Sequence, residues 1–404
     1  MTALSIFIIT YIGVALGRIP GLVIDRVGIA LLGAIAMIVF GVITPEAAVG
    51  SVDLPTILLL YALMVVSAQL RLGGFYTWAA SRIIFLLRRP RLFLLTSMIM
   101  SAVLSSILAN DIVCFAFTPV LAISVLHAGL NPMPFLIGLA VSSNIGSAAT
   151  IIGNPQNMLI GQVGKLDFAD FLLWCGPPAV IALIGSYLVI LMIYSNKLYC
   201  PADRPAVEPS EKTPPFNRWQ TIKGLTVTGL LIILFFSSIP REISAVGIAG
   251  ILLCSRRMKT RDILGLVDWH LITLFCALFV VIHAVSLANY PQMVVTYLAE
   301  RGIDLHNLLM LTGISMVLSN IFSNVPASML LVRFLDAANP AQWFTLAVSS
   351  TFAGNLIIIG SIANLIVIEQ AANYGIKITF REHARVGVPV TLMSLAVLIV
   401  WISI

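Results

Sequence analysis

The sequence predicts an all-α polytopic membrane protein of two inverted repeats, each with about five spanning helices, a re-entrant hairpin and a broken helix. Three observations lead to this prediction. Of the 404 residues, 59% are hydrophobic and only 10% are charged, whereas soluble domains carry about 25% charged residues. Apolar runs of about 20 residues, long enough to cross a hydrocarbon core, recur from end to end. A polar linker near the middle separates halves that share short motifs in the same order.

Ten apolar runs are predicted to be spanning helices, because their hydrophobic residues are continuous and do not alternate as they would in membrane strands. The predicted spans are 3–18, 22–44, 54–72, 134–163, 170–195, 221–238, 242–255, 268–288, 341–370 and 384–403. Two further apolar stretches, 92–126 and 307–335, are interrupted by Ala109-Asn110-Asp111 and by Ser323-Asn324-Val325-Pro326. Irregular backbone at membrane depth is tolerated where it lines a cavity, so we expect two re-entrant hairpins rather than kinked spans.

The halves are separated by a proline-rich linker and resemble each other. The predicted organisation is a first inverted repeat at 1–200 with the hairpin 92–126 and the broken helix 134–163, a cytoplasmic linker at 201–217, and a second inverted repeat at 218–404 with the hairpin 307–335 and the broken helix 341–370. Matching residues include the hairpin asparagines Asn110 and Asn324, and Val141-Ser142-Ser143 matches Val348-Ser349-Ser350. An odd number of crossings in each half would invert the second copy.

The basic residues give an independent prediction of orientation. If the arginines that follow the third span are cytoplasmic, all but four of the 23 basic residues fall on that side, the exceptions being Lys165, Arg241, Arg301 and Arg333. This is the positive-inside pattern. It predicts a multi-pass protein of the cell inner membrane with both termini outside, in the periplasm. Because the net charge of +6 arises in short loops between apolar runs, nucleic acid is not an expected partner.

The two broken helices are predicted to form the binding site. Ser142–Gly161 reads SSNIGSAATIIGNPQNMLIG and Ser349–Ile368 reads SSTFAGNLIIIGSIANLIVI. Glycine is permissive and proline removes a backbone donor, so a helix does not run smoothly through either segment. The half-helices leave backbone groups that a ligand, an ion or a neighbouring side chain must satisfy. Close helix packing explains single small residues, but asparagines at matched positions of both halves are costly to bury unpaired.

These segments, together with ILANDIVCFAFTPVL at the first hairpin and LSNIFSNVPASMLL at the second, resemble the ion transporter superfamily. That group includes arsenite pumps, sodium/proton antiporters and divalent-anion/sodium symporters, and the chain looks most similar to short bacterial anion-permease-like members. The resemblance implies two hairpins and two unwound helices around the substrate, often in a homodimer with elevator-like motion. It implies a substrate site at Asn110, Asn144, Gly153, Asn157, Ser323, Asn324, Gly360 and Asn364. We add Thr150, Asn355 and Ser361 because they stand beside the predicted breaks.

Asp111 is the carboxylate that the sequence places deep in an apolar run. An ionised carboxylate is expensive near the centre of a bilayer, so Asp111 is expected to be protonated part of the time, paired or ion-bound. We predict that Asp111 couples transport to an ion. The alternative is that it caps the hairpin tip by accepting backbone N–H bonds. His283 lies within the eighth span, where a structural role is expected before a coupling role.

The predicted function is secondary active transport of a small anion or metalloid oxyacid, arsenite-like, carboxylate or inorganic, by alternating access coupled to protons or sodium. A sodium/proton antiporter and an ion channel remain alternatives. No enzyme activity is expected: there is no HExxH, and Gly161–Lys165 is followed by Leu166 rather than by the Ser or Thr of a phosphate-binding loop. No catalytic residue, metal site or cofactor is predicted beyond a possible sodium ion or proton. The expected partners are membrane lipid and the substrate, with a soluble ATPase partner left open.

Overall fold

The computed structural model describes residues 2–17, 23–195, 197–199, 216–254, 258–302 and 304–404. Within these ranges every assigned element is a helix, which confirms the predicted all-α class. Residues 201–215 of the predicted linker lie outside the described residues.

Among the described residues, ten α-helices lie before the linker. They are α1 (Thr2–Leu16), α2 (Arg26–Val39), α3 (Pro45–Gly50), α4 (Leu54–Leu72), α5 (Phe75–Ser81), α6 (Pro90–Ile107), α7 (Asn110–His127), α8 (Pro132–Ser147), α9 (Pro155–Val163) and α10 (Phe168–Tyr194). A short 3-10 helix at Ile84–Arg88 precedes α6. The apolar stretch 92–126 is thus divided at Leu108 and Ala109, where the predicted polar interruption begins.

Ten more α-helices follow the linker. They are α11 (Arg218–Phe235), α12 (Arg241–Leu253), α13 (Thr260–Leu264), α14 (Trp269–Leu287), α15 (Tyr290–Ala299), α16 (Leu308–Phe322), α17 (Asn324–Leu331), α18 (Pro340–Ala353), α19 (Ile362–Ala372) and α20 (Phe380–Ser403). Short 3-10 helices lie at Val332–Phe334 and Ile358–Gly360. The second stretch, 307–335, is divided at Ser323.

Helix starts follow from local sequence chemistry. The side chains of Asp53 and Asp268 accept hydrogen bonds from the backbone N–H three residues on, and thereby cap α4 and α14. Asn154 caps α9 in the same way, with Pro155 in its first turn. Thr379 and Glu382 form a reciprocal capping box at the start of α20.

The helices pack as two groups. The outer group joins α2 to α14 and α4 to α12, with α1 against α2 and α11 against α12. The second group contains α6 to α10 and α16 to α20, in which α6 packs on α8, α16 on α18 and α10 on α20. Each of these contacts has its counterpart in the other half, as two related halves would give. The inverted orientation of those halves and the boundaries of the repeats stay predictions.

Six helices are long and apolar enough to cross a membrane among those described: α4, α6, α7, α10, α14 and α20. Several shorter apolar helices accompany them, including α1, α2, α16 and α19. Many large hydrophobic side chains on the outer faces are exposed, for example Ile9, Leu173 and Met192. A chain with such spans and such surfaces is a multi-pass membrane protein.

Candidate functional site

The two helix breaks lie against each other inside the second group of helices. α8 ends at Ser147 and α9 begins at Pro155, while α18 ends at Ala353 and α19 begins at Ile362. The predicted broken helices are therefore both observed. α8 contacts α18 and α19, and α9 contacts α18, so the loop of each break faces the other half of the chain.

Asn144, near the end of α8, connects the halves through its amide. Its Nδ2 donates to Asn355 Oδ1 at 2.9 Å and to Asn364 Oδ1 at 3.2 Å. Its Oδ1 accepts from Ser361 Oγ at 2.9 Å and from Asn110 Nδ2 at 3.2 Å. The Asn144 side chain is 1% exposed. One buried amide therefore contacts the first hairpin tip and three side chains of the second break; we call these five residues the Asn144 network.

Thr351 makes the reciprocal contacts from α18. It stands at the position of the second half that matches Asn144, directly after the repeated Val-Ser-Ser segment. Thr351 Oγ1 accepts from Asn154 Nδ2 at 3.2 Å and from Gln156 Nε2 at 3.3 Å, both in the first break. Each half thus inserts one polar side chain into the break of the other, and all of these side chains are buried.

Two asparagines satisfy the carbonyls that the breaks release. Asn157 Nδ2 donates to Ser147 O at 3.2 Å and to Thr150 O at 3.0 Å. Asn364 Nδ2 donates to Gly354 O at 2.8 Å. A buried carbonyl without a partner is destabilising, so these side chains hold the unwound segments in place.

The hairpin tips close the site from two sides. The Asn110 backbone N–H donates to Gly153 O at 3.1 Å, and Ser143 Oγ donates to Asn110 O at 3.2 Å. On the second tip the Asn324 amide is assigned by its surroundings, two backbone carbonyls, so that its nitrogen donates to Gly360 O at 2.8 Å and to Ser350 O at 3.1 Å. Both hairpin asparagines are therefore anchored to the glycine of the adjacent break.

Gly153 has no room for a side chain. A Cβ there would lie 2.2 Å from Ser147 O and 2.7 Å from Ser147 Cα. These are backbone atoms of the helix end that the site is built on, so they could not move away without disturbing it. The close approach is what lets the first break fold back on itself.

The Asn144 network retains hydrogen-bonding capacity. Asn110 Oδ1 and Asn355 Nδ2 are buried and have no hydrogen-bond partner within the described part of the chain. One is an acceptor and the other a donor, and both belong to side chains bonded to Asn144. The network itself consists of amides and one hydroxyl and carries no formal charge. A hydroxyl group matches this pair chemically, because an O–H both donates and accepts a hydrogen bond.

Asp111 does not join this network, although it follows Asn110 directly. It lines a separate cavity of about 50 Å³ together with Asp268, the N-cap of α14. The other residues around that cavity are apolar, including Leu60, Met64 and Met158. The capping alternative for Asp111 finds no support, since the hydrogen bonds of the described residues include none that ends on its carboxylate.

Ser323 also lies apart from the Asn144 network. It lines a larger cavity of about 480 Å³ together with Asp268 and Glu369. Its backbone φ is +74°, a left-handed value that is strained in a residue other than glycine, by about 1–3 kcal/mol. The strained residue forms the hairpin tip between α16 and α17.

The structure brings most of the predicted site residues together. Asn110, Asn144, Asn355, Ser361 and Asn364 form the network, and Asn157, Gly153, Asn324 and Gly360 support it. Thr150 instead packs beside α6, where its hydroxyl donates to Ser106 O at 2.5 Å. Sequence reasoning did not include Ser147, Asn154, Gln156 or Thr351. Alignment of the two Val-Ser-Ser segments would have found Thr351, because it places that residue opposite Asn144.

Solved structures contain this fold. The chain superposes on the YdaH transporter of Alcanivorax borkumensis, described as having an unusual topology, with a TM-score of 0.57 at 12% identity. The match covers 99% of this chain and 96% of that one. At this identity the likeness concerns the fold alone.

Related sequences span almost the whole chain. It is 28% identical over 420 residues to a 46 kDa membrane protein of Mycobacterium leprae, covering 98% of this chain and 96% of the relative. It is 28% identical over 449 residues to the silicon efflux transporter LSI3 of Oryza sativa subsp. japonica, covering 94% and 92%. A putative transporter arsB of Dictyostelium discoideum is 24% identical over 493 residues, covering 93% and 86%.

The family comparison agrees with the paired breaks and the membrane helices. Residues 6–353 match the family described as citrate transporter, and this range includes both hairpins, the first break and the helix that carries Thr351. The predicted resemblance to the ion transporter superfamily is confirmed, and with it the expectation of a transporter rather than an enzyme. This chain is therefore a membrane transporter that belongs to the citrate transporter family.

Proposed function

We propose that the chain is a secondary active transporter of a small oxyacid, which is a carboxylate, an inorganic anion or a metalloid oxyacid, coupled to protons through Asp111 by alternating access. The observation that carries this proposal is the Asn144 network. It joins both halves at the two helix breaks, it is uncharged, and it keeps one acceptor and one donor unpaired.

The electrostatics of the site favour a ligand without net charge at its centre. The described residues of the Asn144 network include neither arginine nor lysine, and Asp111 adjoins Asn110. An ionised Asp111 would repel an anion across the poorly screened interior. A neutral oxyacid avoids this repulsion, and so does an anion that enters together with a proton held on Asp111. The names of two relatives, a silicon efflux transporter and a transporter called arsB, fit an oxyacid substrate.

The position of Asp111 supports its role in coupling. Its cavity is lined by Asp268 of the outer helix group and by Met158 of α9. α9 begins at the break and carries Asn157. A change of charge on Asp111 therefore acts at the boundary between the two helix groups, one residue away from the network. We propose a homodimer in the cell inner membrane with outside termini, as the charge pattern and the resemblance imply.

Proteoliposomes that contain a trapped pH-sensitive dye test the proposal. Arsenite, silicic acid, sulfate, citrate and sodium are added in separate assays, and one of the oxyacids is expected to trigger a saturable proton flux. Proton flux with sodium alone would instead identify a sodium/proton antiporter, and current that does not saturate would identify a channel. Absence of proton flux with every added compound, in vesicles shown to contain folded protein, would refute proton coupling to these substrates.

Asp111→Asn is the matching test of coupling. The substitution keeps the size of the side chain but removes its ionisation, so proton flux driven by the active substrate is expected to fall by at least about tenfold, in the range of a lost proton-transfer group. Asp304→Asn is the control, because Asp304 is exposed in the turn before α16 and accepts from the backbone of His306. Full gradient-driven transport with unchanged pH dependence in Asp111→Asn would contradict the assignment.

A further inference from the structure

A second polar cavity, distinct from those of Asp111 and Ser323, lies between the two helix groups. Its volume is about 280 Å³. One wall is the loop 50–53 and the far part of α14, and the other is α9 and the end of the second hairpin. α9 contributes Leu159 and Val163 to this cavity, whereas its Met158 faces the Asp111 cavity.

The ionisable groups of this cavity are Arg333, His283 and Asp53. Asp53 is the N-cap of α4, and its Oδ1 accepts from the Thr56 backbone N–H at 2.9 Å. The charge of Asp53 acts on Arg333, but no ion pair or hydrogen bond of Arg333 occurs among the described residues. The guanidinium therefore faces the cavity with all five donors available. His283 lies near enough for the Arg333 charge to act on it.

The cavity at Ser323 is more acidic than the Arg333 cavity. It contains one arginine and one histidine against three carboxylates, and these residues are Arg26, His270, Asp25, Asp268 and Glu369. The predicted orientation places that cavity on the cytoplasmic side and the Arg333 cavity on the outside. One arginine faces one carboxylate in the outer cavity, whereas carboxylates outnumber the basic groups in the inner one, so an anion is repelled less in the outer cavity.

The Arg333 cavity also reaches close to the Asn144 network along the chain. Leu159 lies two residues beyond Asn157, which holds the first break. Met329 lies on α17, little more than one turn from the hairpin asparagine Asn324. A small molecule in the cavity would therefore contact α9, which follows the first break, and α17, which belongs to the predicted hairpin of the second half.

We propose that the cavity lined by Arg333 and His283 is an anion-binding vestibule, where a small carboxylate or inorganic oxyanion is held before it enters, or after it leaves, the Asn144 network. The inference rests on the proposed function, of which it names the outer binding step. Arginine suits this task, because its planar fork binds carboxylates and oxyanions through two parallel hydrogen bonds. Deeper in the site, a proton held on Asp111 removes the charge of that carboxylate, so the oxyanion meets no ionised group beside Asn110.

Thiol labelling tests the vestibule without requiring transport. Ser51 lines the cavity, so Ser51→Cys is introduced into a chain whose Cys200, Cys254 and Cys276 are replaced by serine, while the buried Cys114 and Cys175 stay. The labelling rates of an anionic and a cationic methanethiosulfonate reagent are compared, with and without citrate or sulfate. A positive vestibule gives faster reaction with the anionic reagent, and protection by the added anions.

Substitution of Arg333 supplies the decisive comparison. Arg333→Gln is expected to lower the anionic-to-cationic rate ratio by about tenfold, as the loss of a focused charge predicts, and to abolish protection by citrate and sulfate. Arg333→Lys keeps the charge and is expected to keep the ratio. Arg301→Gln removes a charge that stacks on Tyr297 outside the cavity, so it is expected to change the ratio less than twofold.

Failure of the vestibule proposal can be distinguished from failure of the transport proposal. An unchanged ratio in Arg333→Gln, or the absence of protection in the parent chain, would overturn the vestibule even if the liposomes transport an oxyacid. Conversely, a charge-dependent and anion-protected Ser51→Cys in a protein that moves none of the tested oxyacids would overturn the transport proposal and leave the anion site standing. Arg333→Lys separates loss of charge from damage to the fold. A retained labelling ratio in Arg333→Lys shows that position 333 tolerates substitution and that the charge sets the ratio. Loss of the ratio in both variants would refute a role of the charge.

Discussion

Replacement of Asn144 by alanine is expected to destabilise the fold and to abolish transport. The amide makes four buried hydrogen bonds, two as donor and two as acceptor, and three of them reach the second half of the chain. Polar contacts between membrane helices contribute about 0.6 kcal/mol each on average, and a buried group left unsatisfied costs about 1–3 kcal/mol. The expected loss in unfolding free energy is therefore about 2–4 kcal/mol.

Chemical denaturation in lipid–detergent micelles measures that loss, and proteoliposome flux measures function. Asn131→Ala is the matched control, since Asn131 caps α8 away from the site and its removal is expected to cost about 1 kcal/mol without loss of transport. The double variant with Asn364→Ala is expected to be less destabilised than the sum of the single variants, because the two amides share a bond at 3.2 Å. If Asn144→Ala were no less stable than Asn131→Ala and transported normally, the network would have no role in joining the halves.

Two further matched pairs test the breaks themselves. Thr351→Val removes the hydroxyl that accepts from two amides of the first break and is expected to lower the unfolding free energy by about 1–3 kcal/mol. Thr345→Val, on the same helix, removes a buried hydroxyl without a partner and is expected to be neutral or stabilising in the same denaturation assay. A larger loss of stability in Thr345→Val than in Thr351→Val would contradict the assigned hydrogen bonds. Gly153→Ala places a Cβ against the backbone of Ser147 and is expected to destabilise by about 1–3 kcal/mol and to stop oxyacid flux. Gly250→Ala in α12, where a Cβ meets nothing within 4 Å, is expected to leave both measurements unchanged, and equal behaviour of the two glycines would refute the close approach.

Sequence reasoning located the two breaks because their cause is local. Proline at 155 lacks the backbone donor that a continuous helix needs, and glycines at 153 and 360 allow backbone segments to approach closely. The observed helix ends, Ser147 and Ala353, lie within a few residues of the predicted interruptions. The interruptions of 92–126 and 307–335 were located for the same reason, since polar residues stand there within apolar runs. That these segments enter the membrane and return stays a prediction. The short helices α3, α5, α13 and α15 were missed because their runs are too brief to show a period.

The hydrogen-bond partners within the site could not be predicted from neighbouring residues. Nothing in the sequence around Asn144 indicates that its amide bonds to Asn355 and Asn364, more than 200 residues away. The sequence placed Ser323 among the substrate residues and Asp111 beside them as the coupling residue, but it did not indicate that each lines its own cavity.

Composition, apolar runs and breaks were determined by the sequence itself, since membrane insertion and helix interruption depend on neighbouring residues and on the solvent that they face. The packing of α8 and α9 against α18 and α19 decided which polar groups meet and which stay unpaired. The tertiary structure also decided which cavity Arg333 lines. Such contacts depend on where distant segments lie in space, and a hydrogen bond requires its two atoms within about 3 Å of each other.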